Sequence, residues 1–182
     1  MSALGPGIAR AVVTALILGV VSSFGDWLWA SFIPDGAVVP GIVHGVLIFL
    51  ILALVLGRAS GVAGATRSLL KTLPIGGLLI AAAFYPIAMV VGYLGGLLIT
   101  WIAMWLTLAT LLRRARGGRE SRGRALTRGA IAAGLSGLAF WAISGIWTNP
   151  SAEPVNYLLR AAYWAFAFFP GFAALLVGQP DD

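Results

Sequence analysis

The charged residues of this chain are confined to short segments between long apolar ones. Residues 72–112 carry no charged side chain, whereas the next sixteen residues, Arg113–Arg128, contain seven arginines. A soluble domain cannot bury forty-one consecutive uncharged and mostly apolar residues. The hydrocarbon core of a bilayer can, since a helix of about 20 apolar residues crosses it. The sequence therefore predicts an integral membrane protein.

The overall composition agrees with a membrane location. The chain is 60% hydrophobic and only 10% charged, with a net charge of +6. The positive excess lies in one loop beside apolar segments, without an aromatic-interleaved basic groove, so we exclude nucleic acid as a partner. We expect Arg113–Arg128 to rest on anionic lipid headgroups, at about 1 kcal/mol per basic residue. The absence of cysteine excludes disulfides and thiolate chemistry.

Six apolar spans account for the chain. The uncharged block would measure about 60 Å as one helix, roughly two bilayer cores, so it must fold back, and Gly92–Gly96 is the expected turn. The predicted spans cover approximately 11–33, 37–57, 73–91, 96–112, 129–147 and 155–177. The predicted fold class is an all-α membrane protein, a six-transmembrane-helix bundle that forms a single integral membrane domain over residues 1–182.

The basic residues orient this bundle. Arg10, the loop with Arg58, Arg67 and Lys71, and the arginine loop all fall on one side of a six-span arrangement. Basic loops stay in the cytoplasm, so both termini are predicted to be cytoplasmic. The preference for arginine over lysine, with abundant glycine and alanine, suggests a GC-rich bacterial genome. The expected location is a bacterial inner (plasma) membrane, crossed several times.

The sequence offers little to an enzyme. Residues 134–137, Gly-Leu-Ser-Gly, spell the GxSG of intramembrane serine proteases, but those proteases place a histidine after the serine. The only histidine, His44, precedes Ser136, so we interpret the segment as a small-residue packing face. Metal and phosphatidyl-transfer chemistry need intramembrane clusters of Asp or His, and one of each is not a cluster. We predict no catalytic residue, metal or cofactor.

Two ionisable residues inside the spans are candidate ligand contacts. Asp26 is the only acid within a predicted span and lies near the outer interface. It is either a functional group, as a polar anchor for a lipid headgroup or a proton-binding site, or a carboxylate that only reaches outer water. His44 lies at a similar depth and could hydrogen-bond Asp26, as part of a ligand site or as an interhelical contact. Arg160 enters the last span from the outside, and we expect it to extend outward, towards Glu153.

Aromatic residues could wall a lipid cavity. Trp101 and Trp105 share one face of span four, and Tyr85 adjoins Pro86, which can kink span three. Buried indole and phenol groups combine apolar surface with directed hydrogen bonds, although ordinary core packing would use the same residues. The residues predicted to bind lipid are Asp26, His44, Tyr85, Trp101, Trp105, Trp141, Tyr163 and Trp164.

Two longer segments of the chain and one short motif carry a resemblance to a known family. The segments are Trp29–Phe32 through Val39–Gly41, and Asn156–Arg160 through Phe168–Gly171 to Gln179. They resemble the Insig family, the six-span sterol sensors of the endoplasmic reticulum. Trp105-Leu106-Thr107 is similar to the family's Trp-Trp-Thr at the end of span four. The family continues with Phe-Asp-Arg, which bears on its partner proteins, whereas this chain has Leu108, Ala109 and Thr110. The resemblance implies the architecture and a lipid pocket rather than those partners.

Two functions from different classes follow. The first is an Insig-like lipid-binding sensor or scaffold without catalysis, which holds a sterol-like lipid or diacylglycerol in an intramembrane cavity. The alternative is a small transporter or channel for a solute or proton that uses Asp26 and His44. Transporters usually place ionisable groups near the midplane, and these two are off-centre, which favours the sensor. Glycine-rich helix faces would also allow a homo-oligomer.

Overall fold

The computed structural model describes residues 4–32, 38–144 and 154–177 of the chain. This part is all-α and contains five helices: α1 (Leu4–Phe32), α2 (Val38–Ala59), α3 (Ala65–Ala115), α4 (Arg122–Ser144) and α5 (Pro154–Leu176). All five are long and apolar enough to cross a membrane, which indicates an integral membrane protein. Glu153, towards which we expected Arg160 to extend, lies outside the described residues.

The third helix contains both predicted spans three and four. Gly92 is its non-helical residue, with φ 81° and ψ 165°, a backbone region that is essentially restricted to glycine. The chain reverses at Gly92, so that the segments before and after it lie side by side. A methyl group added at Gly76 would lie only 3.2 Å from Thr107 Cγ2. Residues 93–96, which we expected in a turn, are helical. The structure therefore has five helices where six spans were predicted. Gly92 is the single non-helical residue at the reversal, and the residues directly before and after it are helical, so both predicted spans fall within α3.

Neighbouring segments pack antiparallel in a closed order. The order is α1, α5, α4, residues 93–115 of α3, residues 65–91 of α3, and α2. Buried hydroxyl groups join two of the pairs: Ser23 Oγ donates to the Tyr157 carbonyl at 2.6 Å, and Ser136 Oγ donates to the Ala167 carbonyl at 2.6 Å. The contact between α1 and α2, which closes the order, is the least extensive. The bundle is therefore tightest along α5 and loosest between its first two helices.

Small residues bring the helices into backbone contact. A side chain at Gly19 would overlap the Ala161 carbonyl of α5, and one at Gly171 would overlap the Trp105 ring. Helices in lipid associate mainly through close packing, because the lipid is as apolar as the helix surface. The glycines thus fix which helices lie together.

The surface of the bundle is apolar and part of its interior is polar. Met89 and Val90 are 89% and 84% exposed, whereas Thr14, Ser22 and Ser136 are buried. Water would penalise the exposed groups, but lipid tails accept them, while the Thr14 hydroxyl donates to the Arg10 carbonyl of its own helix and the Ser136 hydroxyl donates to the Ala167 carbonyl of α5. This distribution suits a protein surrounded by hydrocarbon.

The arginine segment folds back onto the helix ends. Arg113 Nε donates to the Glu120 carbonyl at 2.6 Å, and Arg128 Nε lies 3.2 Å from Glu120 Oε1. Arg128 Nη1 also donates to the Leu175 carbonyl at 3.3 Å, which satisfies a carbonyl at the end of α5. Arg113 and Arg128, which were among the arginines expected on lipid headgroups, therefore bind within the protein.

Candidate functional site

Asp26 lies between α1 and α5 and is held by two groups of α5. The Trp164 indole donates to Asp26 Oδ2 at 2.8 Å, and Arg160 Nη1 lies 4.0 Å from the same oxygen. The side chains of Arg160 and Asp26 are only 16% and 22% exposed. We expected Arg160 to extend outward towards Glu153, which lies outside the described residues; in the structure its guanidinium faces the Asp26 carboxylate and lies 5.5 Å from the centre of the Tyr157 ring. The carboxylate thus has a cation and an indole N–H donor of α5 beside it.

His44 lies next to this ion pair without joining it. Its ring occupies the space that a side chain at Gly25 would need, so α1 and α2 touch at this level. His44 Nε2 is buried and has no hydrogen-bond partner. The expected hydrogen bond from this nitrogen to Asp26 is therefore not formed, because the ring packs against the backbone of the preceding residue.

Six aromatic rings form a continuous stack through α3, α4 and α5, which we call the aromatic column. It begins at Trp164, beside Asp26, and ends at Phe172, where the Trp105 and Phe172 ring centres are 5.1 Å apart. Trp101 lies at its middle, 5.3 Å from Phe140 and 5.6 Å from Phe168. Trp105 is fully buried. The members are Trp101, Trp105, Phe140, Trp164, Phe168 and Phe172.

The column brings predicted residues together, but in a packed form. Four of the eight predicted lipid-binding residues lie in the column or against it: Asp26, Trp101, Trp105 and Trp164. The rings of the column pack directly against one another. This is the arrangement expected of ordinary core packing rather than of a cavity wall. The indole nitrogens of Trp101 and Trp105 are buried without a hydrogen-bond partner.

The remaining predicted residues lie apart from the column. Trp141 is 76% exposed on α4, where it faces away from the core. Tyr85 is half-buried and meets the edge of Phe84, whose ring contacts Tyr93 across the reversal at Gly92. Tyr163 is half-buried on α5. Ser136 of the GxSG segment is buried and donates to the Ala167 carbonyl, as expected for a packing face.

An open cavity of about 450 Å³ lies elsewhere, between α1 and α2 at the end of the bundle that carries Arg10 and Arg58. We call it the α1–α2 groove. Its wall is almost wholly apolar apart from the two arginines. The lining residues are Ala9, Arg10, Val13, Thr14, Ile17, Val55, Arg58 and Ala59.

The sequence analysis did not identify this groove. It used Arg10 and Arg58 only to orient the bundle. The sequence did contain a signal for it. Arg10 and Arg58 lie at the same end of two consecutive spans, and each is flanked by alanine and β-branched residues. That pattern does not reveal whether the two helices touch there, which depends on their neighbours.

The described residues include no group of three or more His, Cys, Asp or Glu side chains that could hold a metal ion. The arrangement therefore offers two features for function, a neutralised carboxylate beside packed aromatics and an apolar groove with cationic groups at one end. No protein family, curated protein or solved structure matches this chain.

Proposed function

We propose that this protein is a membrane lipid-binding sensor or scaffold without catalysis, and that the lipid occupies the α1–α2 groove. The groove carries the proposal, because it is open, apolar and of a volume within the range of about 300–1,000 Å³ that is usual for small-molecule sites. The aromatic column then serves as the rigid core against which α1 is held.

The dimensions of the groove suit one leaflet of a bilayer. Its wall on α1 extends from Ala9 to Ile17, about 12 Å along the helix axis. The hydrocarbon core is about 30 Å thick, so the groove reaches nearly to the midplane from one side. Acyl chains or a sterol-like body could lie along it with the polar group at the arginines.

We further propose six crossings, with both termini cytoplasmic in a bacterial inner membrane. The support is the reversal at Gly92. The segments 65–91 and 93–115 of α3 are about 40 Å and 35 Å long, each enough to cross the hydrocarbon core. Arg10, Arg58 and the arginine segment then share one side, as basic residues do in the cytoplasm.

Single cysteines test this arrangement, because the chain has none of its own. Ser60→Cys, Leu94→Cys and Ser121→Cys would be labelled in intact cells with a membrane-impermeant maleimide. Six crossings place positions 60 and 121 inside and position 94 outside, so only Leu94→Cys reacts before lysis. Reaction of exactly one of positions 60 and 121 in intact cells would mean that α3 crosses once, and would overturn the arrangement.

Lipid retention tests the function. The protein would be purified in mild detergent and its lipids extracted and identified by mass spectrometry against a mock membrane preparation. We expect one lipid enriched to a near-stoichiometric amount. Ile17→Trp should abolish the enrichment by filling the deep end of the groove. The control is Val20→Trp, one turn away on the exposed face and outside the groove lining. Equal retention in both variants, or no enrichment at all, would refute the proposal.

The transport alternative has one observation in its favour, a buried His44 Nε2 without a partner near an intramembrane carboxylate. Against it stands the pairing of Asp26 with Arg160 and Trp164. Flux of protons or a candidate solute into protein-containing liposomes distinguishes the two functions. Transport predicts flux that Asp26→Asn abolishes, whereas the lipid-binding proposal predicts no flux above that of empty liposomes and unchanged lipid retention in this variant.

A further inference from the structure

The close contact between α1 and α2 contains a titratable side chain. A side chain at Gly25 would overlap the Nε2, Cδ2 and Cε1 atoms of the His44 ring, so this ring lies directly against the backbone of α1. His44 Nε2 is buried there without a hydrogen-bond partner. The two helices are thus held together, at this level, by an imidazole nitrogen that is satisfied only as long as it carries no charge.

Two polar groups of α1 lie near the ring without bonding to Nε2. Asp26 is the residue after Gly25, and its carboxylate is held by Trp164 and Arg160 of α5. Ser22 lies one turn before Asp26, and its fully buried hydroxyl also lacks a hydrogen-bond partner. A ring that moved off Gly25 would therefore find acceptors within one turn of α1.

The other titratable groups around His44 are few. Of the helices packed on α2, α1 contributes Asp26, with Arg160 of α5 behind it. The other, α3, carries no charged residue over 72–112 and offers Tyr85, a phenol that stays neutral below about pH 9. His44 is the only histidine of the chain, and imidazole is the side chain that ordinarily changes charge between about pH 5 and 8.

We propose that His44 makes the α1–α2 contact sensitive to pH, so that protonation of its ring loosens the two helices and speeds the exchange of lipid from the α1–α2 groove. A positive charge on Nε2 in its present position would be buried without an acceptor, which is strongly unfavourable. The charged ring must leave Gly25 to reach Asp26, Ser22 or water. The α1–α2 contact is the least extensive between neighbouring helices, so the loss of this ring weakens it in large proportion.

The contact and the groove lie along the same pair of helices. The groove wall on α1 ends at Ile17, and Gly25 lies eight residues further, about 12 Å along the helix axis. The His44 contact therefore closes the end of the α1–α2 boundary that the groove leaves open at Arg10 and Arg58. Its release lets the two walls of the groove separate. This consequence for lipid rests on the proposed function, whereas the loosening itself does not.

The spacing of α1 and α2 gives a readout that needs no lipid. Because the chain has no cysteine, nitroxide labels can be attached at Val20→Cys on α1 and Val43→Cys on α2, both at exposed side chains. Pulsed electron paramagnetic resonance on the full-length protein in mild detergent would compare about pH 7.5 with about pH 5.5, on either side of the ordinary imidazole range. We expect a longer and broader distance distribution at the lower pH.

His44→Phe and His44→Gln test whether the ring is responsible. Phenylalanine keeps a ring against Gly25 and glutamine keeps a polar group, but neither titrates. Each labelled variant should show the same distribution at both pH values. The use of two replacements of different shape keeps the test valid if one of them does not fold, which an unfolding curve on each variant establishes.

Lipid exchange gives the second readout. The protein with its co-purified lipid would be mixed with a deuterated total lipid extract of the expression host, and mass spectrometry would follow the replacement. We expect replacement about fivefold faster at the lower pH, and no acceleration in His44→Phe. Gly25→Ala displaces the ring by a methyl group and should exchange fast at both pH values. Gly134→Ala, where a methyl group meets nothing within 4 Å, is the matched control and should behave like the unchanged protein.

The outcomes separate this inference from the function on which its second part rests. A spacing that does not change with pH in a protein that retains lipid overturns the switch and leaves lipid binding intact. Widening at low pH that persists in both His44 variants also overturns it, because another group would then be titrating. Widening that requires His44 in a protein that retains no lipid supports the pH-sensitive contact and refutes the lipid-binding function.

Discussion

The two sides of α1 behave differently. On one side, Gly19 meets the Ala161 carbonyl of α5, Ser23 donates to the Tyr157 carbonyl, and Asp26 receives a hydrogen bond from Trp164. On the other side, the groove separates α1 from α2 along Val13 and Ile17, and the helices meet closely at Gly25 and His44. The same helix therefore forms a closed contact with the last helix and an open one with the second.

The difference shows what makes a helix contact close in lipid. Both contacts offer apolar surface, but lipid tails offer the same, so apolarity alone does not hold helices together. The α1–α5 contact adds a glycine at the crossing and hydrogen bonds at two levels. The α1–α2 contact has the β-branched side chains of Val13, Ile17 and Val55 at its loose end. Space for a ligand remains where these attractive groups are missing.

The largest expected effect on stability comes from removing a buried ring of the aromatic column. Trp105→Ala removes a fully buried ring that packs on Gly171 and Phe172, and we expect a loss of about 3–5 kcal/mol in the free energy of unfolding. Unfolding by SDS in mixed micelles measures it. The matched control is Trp141→Ala, at a tryptophan 76% exposed, which should change stability by less than about 0.5 kcal/mol. Equal losses would show that the aromatic column is not the core.

The next effect concerns the polar contact of α1 with α5. Asp26→Ala removes the acceptor of the Trp164 indole and the counter-charge of Arg160, so we expect a loss of about 1.5–3 kcal/mol. Asp26→Asn keeps an acceptor oxygen and should lose clearly less. The same unfolding assay distinguishes them. If the two variants lose equally, the charge carries the contact, and if neither loses, the carboxylate does not contribute to it.

The glycine contact gives a change of similar or smaller size. Gly19→Ala places a methyl group onto the Ala161 carbonyl, and the resulting displacement of α1 from α5 should cost about 1–3 kcal/mol. Gly134→Ala is the matched control, because a methyl group there meets nothing within 4 Å and a better helix former replaces glycine. That variant should gain up to about 1 kcal/mol. A loss at Gly134 as large as that at Gly19 would point to helix flexibility rather than to close contact.

The smallest effect is expected on the open side. Val13→Ala shortens a side chain of the α1–α2 groove that is 53% exposed, so the free energy of unfolding should change by no more than about 0.5 kcal/mol. Lipid retention should also change little, in contrast to Ile17→Trp. A large destabilisation by Val13→Ala would mean that α1 and α2 pack together at this level, and it would remove the distinction between the two sides.

The fold and the site differed in how far the sequence predicted them. The apolar lengths gave the helices, and Gly92 was identified within the expected turn because glycines cluster there, although residues 93–96 proved helical. The sequence also selected Asp26, Trp101 and Trp164, which do meet. It did not predict that Arg160 faces Asp26, because the partner of an arginine depends on which helix lies opposite it.

The sequence by itself determined that this chain belongs in a membrane, because whether a segment can cross the bilayer depends on its own length and charge and not on the other segments. Only the tertiary structure decided which faces touch. Apolar helices have no pronounced polar side, so close contact depends on single glycines meeting carbonyls and on single hydrogen bonds across helices. For that reason three of the aromatics predicted to wall a cavity, Trp101, Trp105 and Trp164, lie in the packed column, and the groove lies where α1 and α2 lack such contacts.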